Sequence, residues 1–188
     1  MQNISFKDDL QIEGLKIIEP FVFNDERGCF RKPYEHNIFK ANGLDFEISE
    51  IDESVSKKGV LRGMHMQHTA PQHKLIRCIS GEIFDVAVDA RKGSATFGKY
   101  ASVVLSAENQ KMFYIPAGFF HGFLALRDNT VVNYVCAVDY NKAYDGGFIW
   151  NDKDINIAWP PELIGKLIIS EKDKNLPSFS EYCGKYLA

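Results

Sequence analysis

The sequence predicts an all-β domain built as an antiparallel sandwich or barrel. Short runs rich in Val, Ile and Phe alternate with turn signals over residues 15–140, and helical periodicity is almost absent between them. The chain has 188 residues, of which 45% are hydrophobic and 25% charged, as is typical of a globular domain. No repeat or linker divides it, so we expect a single domain over residues 1–188.

The individual elements follow from local patterns. In chain order we expect a strand over 15–23 with a turn over 24–28, a short helix over 36–42 closed by Gly43, and strands over 60–67, 74–79, 82–90, 97–105, 111–115, 121–126 and 130–140. In the strand over 82–90, Phe84, Val86 and Val88 alternate with polar or small residues, which predicts one apolar face. After the Pro160-Pro161 break, residues 162–174 are expected to form a helical turn or an irregular strap.

Charge, hydropathy and cysteine content indicate which partners and which compartment to expect. With 22 basic and 25 acidic residues the net charge is −3, so no nucleic-acid partner is expected, since such binding needs a basic surface. The first residues lack an apolar signal region and no apolar run approaches about 18 residues, so no membrane partner is expected. The four cysteines show no paired or metal-site spacing, which favours reduced thiols in a cytoplasmic protein.

Three of the five histidines, His65, His68 and His73, lie within nine residues. Histidine is the commonest metal ligand and also titrates near neutral pH, so this segment indicates either a metal site or a general base. On a strand, His65 and His68 would point to opposite faces, which disfavours a shared metal, and structural or surface roles are favoured for His68 and His73. His121 follows a Pro-Gly turn and is expected at the mouth of the barrel, where ligands commonly bind.

Other polar residues have less specific patterns. Arg62 and Lys74 flank the histidine segment and fit a phosphate or a developing oxyanion, although solvated surface charges fit the same pattern equally. Tyr134 lies within an apolar strand, where a core aromatic residue is the usual interpretation. By its charged neighbours alone, Asp173 is an ordinary residue of the tail.

Seven motifs stand in a characteristic order along the chain. They are FNDERG at 23–28, GVLRGMH at 59–65, KLIR at 74–77, GEIFDVAVD at 81–89, LSAEN at 105–109, IPAGFFHGF at 115–123 and WND at 150–152. Together they resemble the dTDP-4-dehydrorhamnose 3,5-epimerase family over about residues 15–173. The resemblance implies a cupin-like antiparallel β jelly roll with a few short helices, which forms homodimers and works without a metal or other cofactor.

The resemblance also implies a reaction. The substrate would be a nucleotide-linked 4-keto-6-deoxy sugar, inverted at C3 and C5 through an enolate, as in the conversion of dTDP-4-dehydro-6-deoxy-D-glucose to dTDP-4-dehydro-L-rhamnose. The implied catalytic set is a base, its carboxylate partner, an acid and an enolate-stabilising cation, which correspond to His65, Asp173, Tyr134 and Lys74.

Further positions match substrate contacts of the family, namely Arg27, Arg62, His121 and Lys172. Arg27 and Arg62 suit a diphosphate, and the family's N-terminal strand crosses to the partner, so Arg27 is expected to serve the neighbouring subunit.

Four expected substrate-binding positions depart from the family pattern. Lys32 stands where a glutamate is usual, Glu50 and Asp52 stand where amides are usual, and Asp145 stands where a glutamate is common. Carboxylates only accept hydrogen bonds, so the departures leave open which nucleotide base and which sugar are used. One hypothesis is a paired exchange, in which Lys32 contacts Glu50 or Asp52.

Several alternatives stay open. A 3-only or 5-only epimerase, or a keto-sugar isomerase, would use the same residues. A metal-dependent cupin would use His65, His68 and His121. The first motif of such a cupin usually reads His-x-His, but here His65 is followed by Met66 and Gln67, which breaks the motif. A non-catalytic sugar-nucleotide-binding module is disfavoured by the intact catalytic set.

Overall fold

The computed structural model describes residues 3–8 and 11–187, and most of their regular structure is β-strand. The strands are β1 (Ser5–Asp8), β2 (Lys16–Glu19), β3 (Phe21–Asp25), β4 (Gly28–Lys32), β5 (Glu50–Ser56), β6 (Val60–Gln67), β7 (Lys74–Ser80), β8 (Glu82–Asp89), β9 (Tyr100–Ser106), β10 (Met112–Ile115), β11 (Phe119–Ala125), β12 (Thr130–Cys136), β13 (Asp145–Gly147) and β14 (Ile168–Ile169). The helices are α1 (His36–Ala41), α2 (Pro161–Ile164), α3 (Glu171–Lys174) and α4 (Phe179–Tyr186).

Two large sheets form the body of the fold. The first has the strand order β1-β2-β10-β7-β12-β5, and the second has the order β13-β6-β11-β8-β9 with β14 added beside β6. All pairings are antiparallel except that of β14 with β6. The predicted all-β class is therefore confirmed. Strands β3 and β4 form a separate two-stranded hairpin.

Three apolar clusters hold the layers together. The cluster between the sheets combines side chains of both, including Ile76, Phe113, Phe119 and Phe123, each at most 5% exposed. A second cluster lies on the outer face of the first sheet under α1, and a third lies on the outer face of the second sheet under residues 148–187. Burying each such side chain contributes about 1.5–3 kcal/mol, so both outer coverings stabilise the sheets that they cover.

Strand β8 differs from its prediction because both of its faces are buried. Val86 and Val88 pack under the C-terminal segment, whereas Ala87 packs between the sheets. Asp85 and Asp89 lie on the inner face and are fully buried, so the alternation in the sequence does not separate core from solvent here.

Several predicted boundaries also move. The strand expected over 15–23 is divided at Pro20, because proline cannot donate a ladder hydrogen bond. The strand expected over 130–140 ends at Cys136. The segment expected as a helical turn or strap forms α2, β14 and α3, and β14 fixes this strap beside β6 through the pairs Ile168–Val60 and Ile169–Leu61.

Five elements of the structure are absent from the sequence prediction, namely β1, β4, β5, β13 and α4. Strand β5 is a polar strand at the edge of the first sheet, and it lacks the apolar run that marks the other strands. Helix α4 has a capping box, in which Ser178 and Glu181 satisfy each other's backbone N–H groups.

Candidate active site

A cleft opens between the two sheets and consists of two adjoining cavities of about 530 and 370 Å³. His65, Lys74 and Tyr134 line both cavities. The first cavity is also lined by Arg62, His121, Lys172 and Asp173, and the second by Glu50, Asp52 and Asp145. The fold thus brings ten of the twelve expected site residues to one cleft of the size that binds small molecules.

His65 and Asp173 form a hydrogen-bonded pair in this cleft. His65 Nε2 lies 2.7 Å from Asp173 Oδ1, and Asp173 Oδ2 accepts a 3.3 Å hydrogen bond from the Gly63 backbone N–H. Burial raises the pKa of the Asp173 carboxyl, but the hydrogen bonds and charge around it outweigh burial and hold the pKa below its usual range. An ionised carboxylate only accepts, so Nε2 donates to Asp173, and in the neutral form of the ring the lone pair lies on Nδ1.

The backbone around Gly63 makes this pairing possible. Gly63 has a φ of +124°, and a Cβ there would lie 2.6 Å from the Gly122 Cα of the neighbouring strand. Only glycine permits both this conformation and the close approach of β6 to β11. On the other side, Ser170 caps α3 by accepting a 3.0 Å hydrogen bond from the Asp173 N–H, which fixes the aspartate at the first turn.

A second histidine–aspartate pair lies across the sheet. His121 is directly opposite His65 in the β6–β11 register, and its Nε2 lies 2.7 Å from Asp85 Oδ1. Burial raises the pKa of the Asp85 carboxyl, and the charges of His121 and Lys74 oppose that rise. The two pairs present adjacent imidazole rings on the second sheet.

Tyr134 and Lys74 enter the cleft from the first sheet. The Tyr134 hydroxyl lies 3.0 Å from Ser54 Oγ, and burial raises the pKa of the phenol well above its usual value. The phenol is therefore neutral at physiological pH and has a proton to donate. Burial also lowers the pKa of Lys74, against the charges of nearby acidic groups.

The two cavities are bridged at their rim by an ion pair. Lys172 Nζ contacts Asp145 Oδ2 at 2.5 Å, and the Tyr140 hydroxyl donates to the same oxygen at 3.1 Å. Arg62 is exposed beside them, and its Nε donates to Ser56 Oγ at 3.2 Å. These cations lie at the open side of the cleft, where an anionic group could reach them.

Arg27 and Lys32 are the two expected site residues that lie outside both cavities. Arg27 is exposed at the turn of the β3–β4 hairpin and pairs with Asp25. Lys32 pairs with Glu35 at 2.7 Å. The expected contact of Lys32 with Glu50 or Asp52 is therefore wrong within the described chain, because the hairpin is separate from the sheet that carries those carboxylates.

The other clustered histidines serve structure. His73 Nδ1 lies 2.7 Å from the Tyr114 hydroxyl, its ring stacks on Phe46, and burial lowers its pKa. His68 stacks on Tyr186 of α4 with ring centroids 4.5 Å apart. The three histidines of a metal-cupin set do not converge, since His68 packs against the C-terminal helix.

One other group of potential ligand atoms lies in the second cavity. Ligand atoms of Glu50, Asp52 and Cys136 are all within 4.8 Å of one another. Burial raises the pKa of the Cys136 thiol to about 11, so the sulfur is protonated at neutral pH and is a poor ligand. Lys74 also lines this cavity, and its positive charge opposes that of a metal ion.

Comparison with known proteins identifies the family. The sequence profile of the dTDP-4-dehydrorhamnose 3,5-epimerase family matches residues 9–181. The chain belongs to this family. A dTDP-4-dehydrorhamnose 3,5-epimerase of Methanothermobacter thermautotrophicus is 53% identical over 164 residues, which are 87% of this chain and 89% of the relative. The protein is therefore an isomerase of the carbohydrate epimerase class.

Solved structures agree with this assignment. The dTDP-6-deoxy-D-glucose-3,5-epimerase of Legionella pneumophila in complex with dTDP-4-keto-L-rhamnose has a TM-score of 0.90 at 37% identity, covering 94% of this chain and 93% of that one. A 3'-monoepimerase of Streptomyces bikiniensis in complex with dTDP-quinovose has a TM-score of 0.85 at 34% identity, covering 93% and 89%. The expected cupin-like jelly roll is confirmed. No helix among the described residues has the length and apolar character needed to cross a bilayer.

Sequence reasoning missed two side chains of this epimerase site, Asp85 and Ser54. Asp85 occurs in an alternating strand where a charge on the second face suggests solvent, whereas the structure buries it completely beside His121. Ser54 lies on β5, which the sequence pattern did not predict. The GEIFDVAVD motif does indicate a role for Asp85, because a carboxylate inside so apolar a strand needs a partner.

Proposed function

We propose that this epimerase inverts C3 and C5 of dTDP-4-dehydro-6-deoxy-D-glucose to give dTDP-4-dehydro-L-rhamnose. The observation that carries the proposal is the His65–Asp173 pair, whose free Nδ1 is a base, in a cavity that Tyr134 also lines. His65 comes from the second sheet and Tyr134 from the first, so a base and an acid enter the cleft from opposite layers. Inversion at a carbon needs this arrangement.

The chemistry proceeds through an enolate. The C4 ketone acidifies the protons on C3 and C5, and His65 removes one of them to leave negative charge on the C4 oxygen. The Lys74 ammonium stabilises that oxygen, which is an electrostatic contribution of the kind that dominates many enzymes. Tyr134 then returns a proton to the opposite face of the carbon. His65 releases its proton to solvent and Tyr134 regains one from solvent, and the cycle repeats at the second carbon.

The remaining residues of the cleft hold the substrate. Arg62 and Lys172 suit the diphosphate, and His121 suits a sugar hydroxyl beside the reacting carbons. Glu50, Asp52 and Asp145 accept hydrogen bonds from the sugar or the base in the second cavity.

Arg27 and Lys32 reach the nucleotide from a partner subunit in a homodimer. Exposed apolar side chains support this dimer, with Phe23 and Phe30 of the hairpin 53% and 60% exposed, and Ile51 and Val55 of the edge strand β5 60% and 66% exposed. Apolar groups of this size at a free sheet edge favour association with a second copy.

The proposal includes a single catalytic domain over residues 1–188 and a cytoplasmic location. The site combines residues from β5 through α3, which supports one domain. All four cysteines are free, as suits a reducing compartment.

Proton NMR of the protein with dTDP-4-dehydro-6-deoxy-D-glucose in D2O tests the function. We expect deuterium at both C3 and C5 and formation of the inverted sugar. Exchange at one carbon alone would identify a single-site epimerase instead, an activity that the Streptomyces bikiniensis 3'-monoepimerase shows to be compatible with this fold. Absence of exchange from folded protein would contradict the proposal.

A further inference from the structure

Lys74 presents an ammonium group with no direct partner to the cleft. Its side chain makes no hydrogen bond and no ion pair with any residue in 3–8 or 11–187, although it is half-buried and lines both cavities. Burial of an unpaired ammonium favours loss of its proton, which would remove the positive charge that an enolate needs. Nearby negative charges oppose this effect of burial, although the pKa of Lys74 remains below its usual value.

Strand register identifies the compensating groups. Lys74 on β7 lies opposite Cys136 on β12, and Cys136 in turn lies opposite Glu50 on β5. Two residues along, Asp52 lies opposite Tyr134. Side chains two apart on a strand share a face, so Glu50 and Asp52 both face the cavity that Lys74 lines.

Charged and titratable groups from both sheets and from α3 surround Lys74. They are Glu50, Asp52 and Glu53 on β5, Arg62 and His65 on β6, Asp85 on β8, His121 on β11, Tyr134 and Cys136 on β12, Tyr140 after β12, Asp145 on β13, and Lys172 and Asp173 on α3. Burial raises the pKa of both Tyr134 and Cys136, so neither is an anion at neutral pH. Asp145 pairs with Lys172 and Asp85 with His121.

Among the described carboxylates whose charges act on Lys74, Glu50 and Asp52 are thus the two without a cationic partner. Glu50 accepts hydrogen bonds from the Gln72 amide at 3.2 Å and the Tyr140 N–H at 2.9 Å, which fix its position. Both carboxylates stand beyond ion-pair distance from the Lys74 ammonium. Their charges act on it across the cavity, and none of its N–H donors is used.

We propose that Glu50 and Asp52 are positioning residues that keep Lys74 protonated from a distance and leave its N–H groups free for the enolate oxygen. The inference rests on the proposed function, in which Lys74 stabilises that oxygen. A contact ion pair would also hold the charge, but it would occupy the donors that the substrate needs. The field of two separated carboxylates satisfies both requirements.

The isosteric variants Glu50→Gln and Asp52→Asn test the proposal, with Glu47→Gln as a matched control. Glu47 is exposed just before β5 and lines neither cavity. Trace acetylation across a pH series, followed by mass spectrometry of the Lys74 peptide, reports the protonation of Lys74 without requiring turnover. The pH profile of kcat for dTDP-4-dehydro-6-deoxy-D-glucose reports its effect on the reaction.

Loss of either carboxylate removes a charge that favours the ammonium, so the labelling midpoint of Lys74 should fall by about one pH unit. The alkaline limb of the kcat profile should move down by the same amount, and the Glu47→Gln control should match wild type. An unchanged labelling midpoint in both variants would overturn the inference and leave the proposed function intact. A wild-type protein that exchanges neither substrate proton would instead overturn the proposed function, while the labelling still decides the charge of Lys74.

Discussion

Asp173 and Asp85 each hold a histidine in the cleft, yet their surroundings give the two carboxyl groups opposite pKa shifts. Asp173 accepts hydrogen bonds from the His65 ring and from the Gly63 backbone N–H, so its ionised form is favoured. Asp85 Oδ2 is buried and finds no partner among the described residues, so burial dominates. His65 is therefore held by a carboxylate whose ionised form is favoured, whereas the ionised form of the carboxylate that holds His121 is disfavoured by burial.

Replacing Tyr134 by Phe separates proton removal from proton return. The variant keeps His65 and Lys74, so deuterium should still enter at the reactive carbons in D2O with retained configuration. Inversion should fall about 10²-fold or more, because the acid on the opposite sheet is lost. NMR distinguishes the two outcomes, and equal loss of exchange and inversion would contradict the assignment of Tyr134 as the acid.

The strap and the β8–β9 connection show how short elements fix distant charges. The strap brings Asp173 to His65 because β14 pairs with β6 and Ser170 caps α3. In the β8–β9 connection, Asp89 accepts hydrogen bonds from Arg91, Ser94 and Thr96. Burial raises the pKa of Asp89, but these hydrogen bonds outweigh it and lower the pKa to about 2.

Asp89 should make stability depend on pH in acid. A carboxyl whose pKa falls on folding stabilises the folded state above its unfolded pKa, near 4, and loses that effect as pH falls toward 2. Asp89→Asn should therefore lower the free energy of unfolding by about 2 kcal/mol at pH 6 and much less at pH 2. Urea unfolding at both pH values measures the loss of free energy of unfolding, with the exposed Asp154→Asn variant as control. An equal loss at pH 6 and pH 2 would contradict the claim that Asp89 titrates between them.

The sequence pattern predicts strongly apolar elements well and polar ones poorly. Strands β6, β8 and β11 lie close to the positions predicted from their apolar residues and the turns beside them. Strand β5 is not predicted, because its polar side chains face a cavity or solvent and give no apolar pattern. Tyr134 looks like a core residue because it lies on an apolar strand. Asp173 lies 108 residues from His65, so local patterns cannot reveal their pairing, and family motifs were needed.

At the scale of the whole molecule, the β3–β4 hairpin and the edge strand β5 both expose apolar side chains, and Arg27 lies on that hairpin outside its own cleft. An assembly in which each hairpin reaches the neighbouring cleft would explain all three observations. Each site would then combine His65 of one subunit with Arg27 of the other, as a two-fold symmetric dimer permits.

Mixing two inactive variants tests this arrangement. His65→Asn and Arg27→Ala each damage every site of their own homodimers. A mixed dimer with shared sites contains one intact site, so refolding the variants together should restore about a quarter of wild-type activity. Sites made from one chain would recover nothing, and a monomeric protein in light scattering would exclude sharing altogether.

The role of His65 as the base is tested most directly by the rate of C3 and C5 proton exchange in D2O for His65→Asn beside His68→Asn. His65 lines both cavities and His68 lines neither, so the same substitution is made once inside the cleft and once outside it. The His65 variant should lose exchange at both carbons by about 10³-fold, and the His68 variant should keep the wild-type rate. Near-normal exchange in the His65 variant would contradict the assignment of His65 as the base.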